Sequence, residues 1–273
     1  MIVAVLVTAL RLPRVGLSVR LVASSCAAPG LQPGLRFCTS GAVSAATRIR
    51  DAIWRWPDGW LWRATEPLTL KSRAAKFDLF AHEIGTHPGQ RVLDVGGGAH
   101  AARGGNYFEQ HYPYPEQLVT CVFDVGSELA GFRWQHPGIR VVAGDGRQLP
   151  FADDAFDVVV SNAVIEHVGS REQQRAFVHE CVRVAPRAFL ATPNSWFPVD
   201  MHTLVPVAHY LPLRARFAIY RRLGRGNWAS LERLNLLSAR ELLKLVPRGV
   251  QTRLVRLRLL GLTHSLVLIL RRL

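Results

Sequence analysis

Five short apolar runs, separated by stretches with helical spacing, most strongly constrain the fold of this 273-residue chain. Each run has the length of a strand and few charged residues, as strands that are buried on both faces require. The clearest intervening helix is predicted over 171–184, and another over 69–85. The predicted strands cover 91–95, 118–125, 139–145, 156–163 and 188–193. This alternation predicts an α/β protein with a doubly wound parallel sheet, which binds ligands at the carboxyl ends of its strands.

The C-terminal segment follows a different pattern. Over 253–260, arginines alternate with apolar residues, Gly261 follows, and a second apolar run covers 265–272. A period near two on both sides of a glycine turn predicts an antiparallel β-hairpin. An amphipathic helix on a membrane surface is the alternative, and the period and the glycine both favour the hairpin over it.

The ends of the chain and its middle differ in composition. The first fifty residues contain no Asp or Glu, so residues 1–44 are predicted to be a disordered or leader segment, with a transit or signal peptide as alternatives. The folded domain is predicted over 45–273. It includes a lid-like insertion at about 196–230 that is rich in aromatic residues, proline and histidine. A helix over 238–246 follows, with Ser238 as its N-cap.

The net charge is +14, but the residues between 76 and 200 are net acidic and lie between basic flanks. Since no compact basic run with interleaved aromatics is present, no specific nucleic-acid partner is predicted. The predicted location is cytoplasmic. Peripheral contact with an anionic membrane is a hypothesis that the basic flanks support. The composition predicts no oligomeric state.

The first predicted strand runs into three consecutive glycines in VLDVGGGAH, residues 92–100. Glycines allow a tight turn and let a ligand approach the main chain. The spacing Gly96-x-Gly98-x-x-Ala101 also fits the dinucleotide fingerprint, with Asp124 as the ribose-binding acid. A carboxylate at Asp94 repels a pyrophosphate and attracts a cation. The charge therefore favours S-adenosylmethionine, a sulfonium compound, over NAD.

Four motifs carry a family resemblance: VLDVGGG, FDVG, AGDGRQLPFADDAFDVVVSNAVIEHV and ECVRV. In this order they resemble the motifs of class I S-adenosylmethionine-dependent methyltransferases, most closely the small-molecule, methyltransferase type 11-like branch. The resemblance covers about residues 76–273. It implies a Rossmann-like sheet of seven strands with a C-terminal antiparallel hairpin, S-adenosyl-L-methionine as methyl donor, and a small or lipid-like acceptor.

The resemblance also implies contacts to the methyl donor at the first two strands. Asp94 and the backbone of Gly96 and Gly98 would face the methionine part. Asp124 would accept both ribose hydroxyls, because its two oxygens span a vicinal diol.

Further donor contacts are implied at the third and fourth strands. Asp145 and Gly146 would read the adenine edge, and Ser161 and Asn162 would lie near the sulfonium. The alternative interpretation of Asp145 is a turn carboxylate, and that of Asn162 is a helix cap.

The acceptor end is predicted after the fourth strand. Glu166 and His167 are the candidate catalytic residues there, since a base is needed to deprotonate an oxygen acceptor. The alternative is that both residues start a helix and orient the loop. In the insertion, Asp200, His202 and His209 are the candidate substrate contacts. No third ligand accompanies these histidines in the sequence, so no metal is predicted.

Two other functions remain as alternatives. A catalytically degenerate cofactor-binding protein is one, because His100 replaces the usual third glycine of the family and its Pro-Gly-Gly turn is missing. An NAD(P)-dependent oxidoreductase is the other, since it would use the same glycines.

Overall fold

The computed structural model describes residues 60–98, 105–123 and 126–273. The predicted leader and the domain start near residue 45 lie outside these residues. So does Asp124, the predicted ribose ligand.

Seven strands form a single sheet in the order β3-β2-β1-β4-β5-β7-β6. The first five strands run parallel to one another, while β7 runs antiparallel to both β5 and β6. The strands are β1 (Val92–Val95), β2 (Leu118–Val122), β3 (Arg140–Ala143), β4 (Val158–Asn162), β5 (Arg187–Pro193), β6 (Val250–Leu259) and β7 (Leu262–Arg272). The predicted seven-stranded, Rossmann-like sheet is confirmed.

The C-terminal hairpin is also confirmed, and the alternative of an amphipathic helix is wrong. Leu260 and Gly261 form the turn, with φ values of 51° and 82°. Both values fall in the left-handed region, which glycine adopts without steric cost. The β7 strand lies between β5 and β6, so its central residues are buried from Ser265 to Leu270.

Two of the helices begin at capping boxes that the sequence supplies. The Ser170 hydroxyl accepts from the Gln173 N–H, and the Gln173 side chain accepts from the Ser170 N–H. Ser238 and Glu241 form the same capping box, which confirms the predicted Ser238 cap. The helices are α1 (Trp60–Glu83), α2 (Tyr107–His111), α3 (Ser127–Gln135), α4 (Arg171–Val184), α5 (Leu213–Arg222) and α6 (Ala239–Leu243).

Both faces of the sheet are covered. Leu93 and Val159 point to the face that packs against Phe177 of α4. Their neighbours Val92 and Val158 point to the opposite face, against the ring of Phe80 from α1. Because successive side chains of a strand alternate between faces, a strand buried on both sides needs an uninterrupted apolar run.

The segment between β5 and α6 contains the insertion predicted at about 196–230. It holds α5 and the short 3₁₀ turns Ala208–Tyr210 and Gly226–Trp228, and it packs around a small cluster of its own with Tyr220 fully buried. Among the helices in the described part of the chain, none combines the length and apolar character needed to cross a membrane.

Candidate active site

A cavity of about 540 Å³ opens at the carboxyl ends of β1 to β4. Four of the residues predicted for the site line it, namely Gly96, Asp145, Gly146 and His167. Its apolar walls include Val95, Phe123, Val164, Val168 and Phe177. The volume is in the range that small-molecule sites occupy.

Two of the glycines that line the cavity, Gly96 and Gly146, are required by close packing of the protein itself. Gly96 has φ 105°, and a Cβ added there would overlap the Val164 side chain. A Cβ on Gly146 would lie 2.7 Å from Cε2 of the Phe177 ring. The Gly96 N–H donates to the carbonyl of Cys121 at 2.9 Å. Gly96 therefore leaves room for a ligand, but its N–H is not available to bind one.

Gly98 is held by a residue that the sequence did not single out. Its N–H donates to Oδ1 of Asn106 at 3.3 Å, and its carbonyl accepts from Nδ2 of Asn106 at 2.7 Å. Asn106 itself adopts a left-handed conformation, with φ 54°. The amide side chain therefore joins the glycine loop to the start of α2.

Asp94 is buried behind the cavity wall and is paired with Glu109 of α2. Burial, and then the neighbouring Glu109, raise the pKa of Asp94 well above its usual range. Burial also raises the pKa of Glu109, against the attraction of Arg73. The pair therefore favours a shared proton over two charges. Glu109 escaped the sequence interpretation because it follows the extended glycine loop, outside every motif.

Asp145 lies at the end of β3, where Arg147 fixes it. Its carboxylate accepts from the Arg147 N–H at 2.9 Å and from Nη2 of the same guanidinium at 2.6 Å. These bonds lower the pKa of Asp145. The backbone contact is that of a turn carboxylate, and about a third of the side chain remains exposed toward the cavity that the residue lines.

Ser161 and Asn162 end β4, and both contact protein groups. The Ser161 hydroxyl donates to the Val95 carbonyl at 2.8 Å, which ties β4 to β1. Oδ1 of Asn162 accepts from Nζ of Lys76 at 2.9 Å. Burial lowers the pKa of Lys76 to about 8, although the charge of Glu166 opposes this.

Glu166 lies on the 3₁₀ turn Ile165–His167 and is fully buried. Its Oε2 accepts from the Thr192 hydroxyl at 2.9 Å. Its Oε1 is 3.6 Å from Nε2 of His202 and has no hydrogen-bond partner among the described residues. This position on a turn fits the alternative interpretation, in which Glu166 starts a helix and orients the loop. Its Oε1 faces His202 of the insertion.

Two imidazoles meet at this point. Nε2 of His167 is 3.1 Å from Nε2 of His202. Nδ1 of His167 lies 2.6 Å from the Arg233 carbonyl, and Nδ1 of His202 lies 2.9 Å from Oδ1 of Asp200. Both Nδ1 atoms therefore act as donors, which directs both Nε2 atoms toward each other.

The two histidines have opposite charge preferences. Burial lowers the pKa of His167. Burial also disfavours the charged form of His202, but the adjacent Asp200 outweighs it and raises the pKa. Without a further ligand, the proton between the two Nε2 atoms belongs to His202.

The structure thus joins residues that the sequence assigned to separate groups. Glu166 and His167 were candidate catalytic residues, and Asp200 and His202 were candidate substrate contacts. The third candidate contact, His209, is buried in the turn Ala208–Tyr210, where burial lowers its pKa. No sequence signal relates His202 to His167, since 35 positions separate them.

Comparison with known proteins agrees with this geometry. Residues 93–189 match a family model described as a methyltransferase domain. Over these residues the chain is similar to methyltransferase domains. This similarity agrees with the family predicted from the sequence motifs. It runs from β1 into β5 and includes Glu166 and every residue that lines the cavity except Glu232.

Curated relatives of the methyltransferase domain include demethylmenaquinone methyltransferases. That of Renibacterium salmoninarum is 34% identical over 98 residues, which cover 36% of this chain and 39% of the relative. That of Streptomyces avermitilis is 26% identical over 142 residues, covering 47% and 57%. The matched segment thus spans less than two thirds of either relative.

Solved structures share the fold. Magnesium protoporphyrin IX methyltransferase from Synechocystis, with bound SAH, superposes with a TM-score of 0.51 and 14% identity, covering 83% of this chain and 99% of that one. At this identity the similarity concerns the fold alone.

Proposed function

We propose that this protein transfers a methyl group from S-adenosylmethionine to a small or lipid-like acceptor. The observation that carries the proposal is the cavity at the carboxyl ends of β1 to β4, which joins the glycine turn and Asp145 to His167. Ligands of open α/β sheets bind at this edge. The methyltransferase domain match supplies the reaction class.

The residues at the cofactor end fit S-adenosylmethionine by their chemistry. The cavity combines two carboxylates, Asp145 and Glu232, with apolar walls such as Phe177 and Val168. Among the described residues of the lining, Arg147 supplies the single guanidinium, and it is bonded to Asp145. The described residues at this end therefore suit an aromatic base joined to a cation and offer no free positive group for a pyrophosphate.

Named residues would divide the work at this end. When bound, S-adenosylmethionine supplies a methyl group on a positively charged sulfur. Asp145 would accept from the exocyclic amine of the adenine, since a carboxylate retains acceptor sites beyond those that Arg147 uses. Asp124 remains the proposed ribose ligand, and Asp94 with Gly96 and Gly98 the proposed neighbours of the methionine part.

At the acceptor end, His167 is the proposed base when no metal ion is bound beside it. Burial lowers its pKa, so its imidazole is neutral at pH 7, and Nε2 can take a proton from the acceptor once the acceptor displaces the N–H of His202 from it. Glu166 and Asp200 act on His202, which faces that atom. Alignment of the acceptor with the methyl group supplies most of the remaining rate enhancement, about 7–11 kcal/mol in favourable cases.

A lipid-like acceptor is supported by the surface of the insertion. Trp196 is 72% exposed, and its carbonyl accepts from the hydroxyl of Tyr210 at 2.8 Å. Leu211 and Leu213 continue this exposed apolar patch, next to the exposed Arg214. Exposed apolar groups beside arginine suit the interface of an anionic membrane. The relatives named as demethylmenaquinone methyltransferases support the same class of acceptor.

Titration calorimetry tests the cofactor assignment. Purified protein is expected to bind S-adenosylhomocysteine and not NAD. Asp145→Ala should weaken S-adenosylhomocysteine binding roughly 10- to 100-fold, the effect of losing a charged hydrogen bond. Asp153→Ala is the matched control, because Asp153 contacts Arg183 at the exposed end of the same loop. Tighter binding of NAD would overturn the proposal in favour of an oxidoreductase.

Methyl transfer is tested with a labelled methyl group. Cell extracts with and without active protein are incubated with labelled S-adenosylmethionine and separated into lipid and aqueous fractions. Protein-dependent label is expected in the lipid fraction. Cofactor binding without label in either fraction would instead indicate a degenerate cofactor-binding protein. Failure to bind anionic liposomes would count against acceptor capture at a membrane.

A further inference from the structure

We propose that Glu166, His167 and His202 form a binding site for one divalent transition-metal ion of the zinc type. A carboxylate oxygen and the Nε2 atoms of both histidines lie within 4.8 Å of one another. Two imidazoles and one carboxylate are a ligand set that zinc uses in catalytic sites. The sequence predicted no metal, because it supplied Glu166 and His202 from distant segments.

Two of the three separations match one shared ion, and the third, between Nε2 of His167 and the Glu166 carboxylate, is within 4.8 Å. The two Nε2 atoms are 3.1 Å apart, and Nε2 of His202 is 3.6 Å from Oε1 of Glu166. Ligands that hold zinc tetrahedrally at about 2.0–2.1 Å are about 3.3 Å from one another. Small side-chain adjustments are sufficient to place an ion between these three atoms.

The hydrogen bonds around both rings prepare their Nε2 atoms as ligands. Nδ1 of His167 is held by the Arg233 carbonyl, and Nδ1 of His202 by the Asp200 carboxylate. Such acceptors fix the tautomer and the ring orientation of metal-binding histidines. Two lone pairs then face each other at 3.1 Å, which is repulsive unless a proton or a metal ion lies between them.

Glu166 points to the same requirement independently. It is fully buried, Thr192 satisfies only its Oε2, and its Oε1 has no hydrogen-bond partner in the described part of the chain. The ammonium of Lys76 attracts this charge but donates its hydrogen bond to Asn162. A buried carboxylate oxygen is costly unless a cation or a donor reaches it, and a metal ion would satisfy it.

The site would have one open coordination position. Three protein ligands leave the fourth position of a tetrahedral ion for water or a substrate oxygen. His167 belongs both to the cluster and to the cavity lining, so the ion would lie next to the acceptor. The ring of Trp228 packs against both imidazoles, with centroid distances of 5.6 and 5.3 Å. It limits access of water from the side of the insertion.

The open position would accept an oxygen of the methyl acceptor, a role that rests on the proposed function. In the ion-bound protein both Nε2 atoms are ligands, so neither imidazole serves as a base. Metal binding itself requires no methyl transfer and is therefore tested separately.

The test uses the full chain, freed of metal with a chelator and titrated with zinc chloride in a calorimeter. One ion per chain is expected. His202→Ala removes a ligand and should weaken zinc binding by at least about 100-fold. Asp200→Asn changes only the group that is hydrogen-bonded to a ligand and should weaken it by about 10- to 100-fold. His179→Ala is the matched control, because His179 is exposed on α4, and it should bind zinc like the unmodified protein.

Equal zinc binding by His202→Ala and the unmodified protein would overturn the proposal, as would a preference for magnesium, which avoids imidazole ligands. If the variants do not fold, the site is tested instead by the visible spectrum of the unmodified protein with cobalt in place of zinc. A tetrahedral spectrum is expected, and one identical to aqueous cobalt overturns the site. S-adenosylhomocysteine binding without zinc binding would reject the metal site and leave the proposed function standing, whereas the reverse result would reject only the proposed function.

Discussion

At the β1 end of the cleft, Asp94 packs against Glu109, whereas at the β4 end Asp200 and Glu166 both approach His202. Burial raises the pKa of both Asp94 and Glu109, and the neighbouring Glu109 raises the pKa of Asp94 further. Burial acts on Asp200 as well, but the contact with His202 lowers its pKa.

This comparison shows that burial alone does not set the charge of a carboxylate. Both ends exclude water to a similar degree, yet one holds a proton between two acids and the other holds an ion pair. The partner decides the outcome, because an adjacent cation compensates desolvation and an adjacent anion adds to it. The two ends should therefore respond differently to substitution and to pH.

The largest effect is expected from Asp200→Ala. It leaves His202 buried without its carboxylate partner, which should lower the free energy of unfolding by about 3–5 kcal/mol. Urea denaturation followed by circular dichroism measures this change. In the control Asp153→Ala, the side chain is 73% exposed and paired with Arg183, so a change within about 1 kcal/mol is expected. Similar losses of unfolding free energy in the two variants would show that the buried pair stabilises the fold no more than an exposed pair does.

Gly146→Ala should have the next largest effect, at the cofactor end. The added Cβ would lie 2.7 Å from the Phe177 ring, and such overpacking costs about 1–3 kcal/mol of unfolding free energy. S-adenosylhomocysteine affinity should fall with it, as calorimetry can measure. Gly138→Ala is the control, since a Cβ there has no heavy atom within 4 Å. If Gly146→Ala changed neither the unfolding free energy nor the S-adenosylhomocysteine affinity, the loop would have room to move away from Phe177.

The pH dependence of stability tests the acid pair. Above a pH of about 3.9, the unfolded chain releases the Asp94 proton that the folded chain keeps. Stability therefore falls as pH rises toward the raised pKa, by about 1.4 kcal/mol per pH unit for one proton. Asp94→Asn should reduce this slope in urea denaturation at several pH values.

The control for this slope is Asp157→Asn. The hydrogen bond from Arg91 lowers the pKa of Asp157, so the stability contribution of this group is lost only as pH falls through that lowered value. Removal of Asp157 should leave the slope above pH 4 unchanged. A steeper slope in Asp94→Asn would contradict a shared proton.

Arg147→Ala should have the smallest effect. Arg147 and Asp145 are bonded at 2.6 Å, but about a third of each side chain is exposed. Exposed pairs contribute about 0–1 kcal/mol, so urea denaturation should detect little change. A loss comparable to that of Asp200→Ala would show that this pair is shielded from water.

Much of the fold was predictable because it depends on local patterns. The helix predicted over 171–184 begins and ends as observed, since Ser170 and Gln173 cap it and its apolar residues recur at helical spacing. The hairpin followed from its period of two. Of the strand predicted over 118–125, the structure shows Leu118–Val122, which ends where its pairing with β3 ends. Residues 124 and 125 lie outside the described residues.

The sites were less predictable. The glycine turn and Asp145 were found because each follows a strand directly and so must lie at the carboxyl edge. Glu109 and Asn106 were missed as partners, because they lie in a loop and a short helix outside every motif. Arg147 was missed although it lies within the third motif, because the resemblance implies no partner for Asp145. His202 was noted, but its contact with His167 was not.

The strands, the capped helices, the glycine turn and the resemblance to a family could all be read from the chain alone, since they depend on neighbouring residues and on periodicity. Only the tertiary structure decided that Asp94 meets Glu109 and that His202 meets Glu166 and His167. The physical reason is that these contacts join segments far apart in the chain. The charges of the side chains are set by burial and by hydrogen bonds where the segments meet, and no local pattern predicts either.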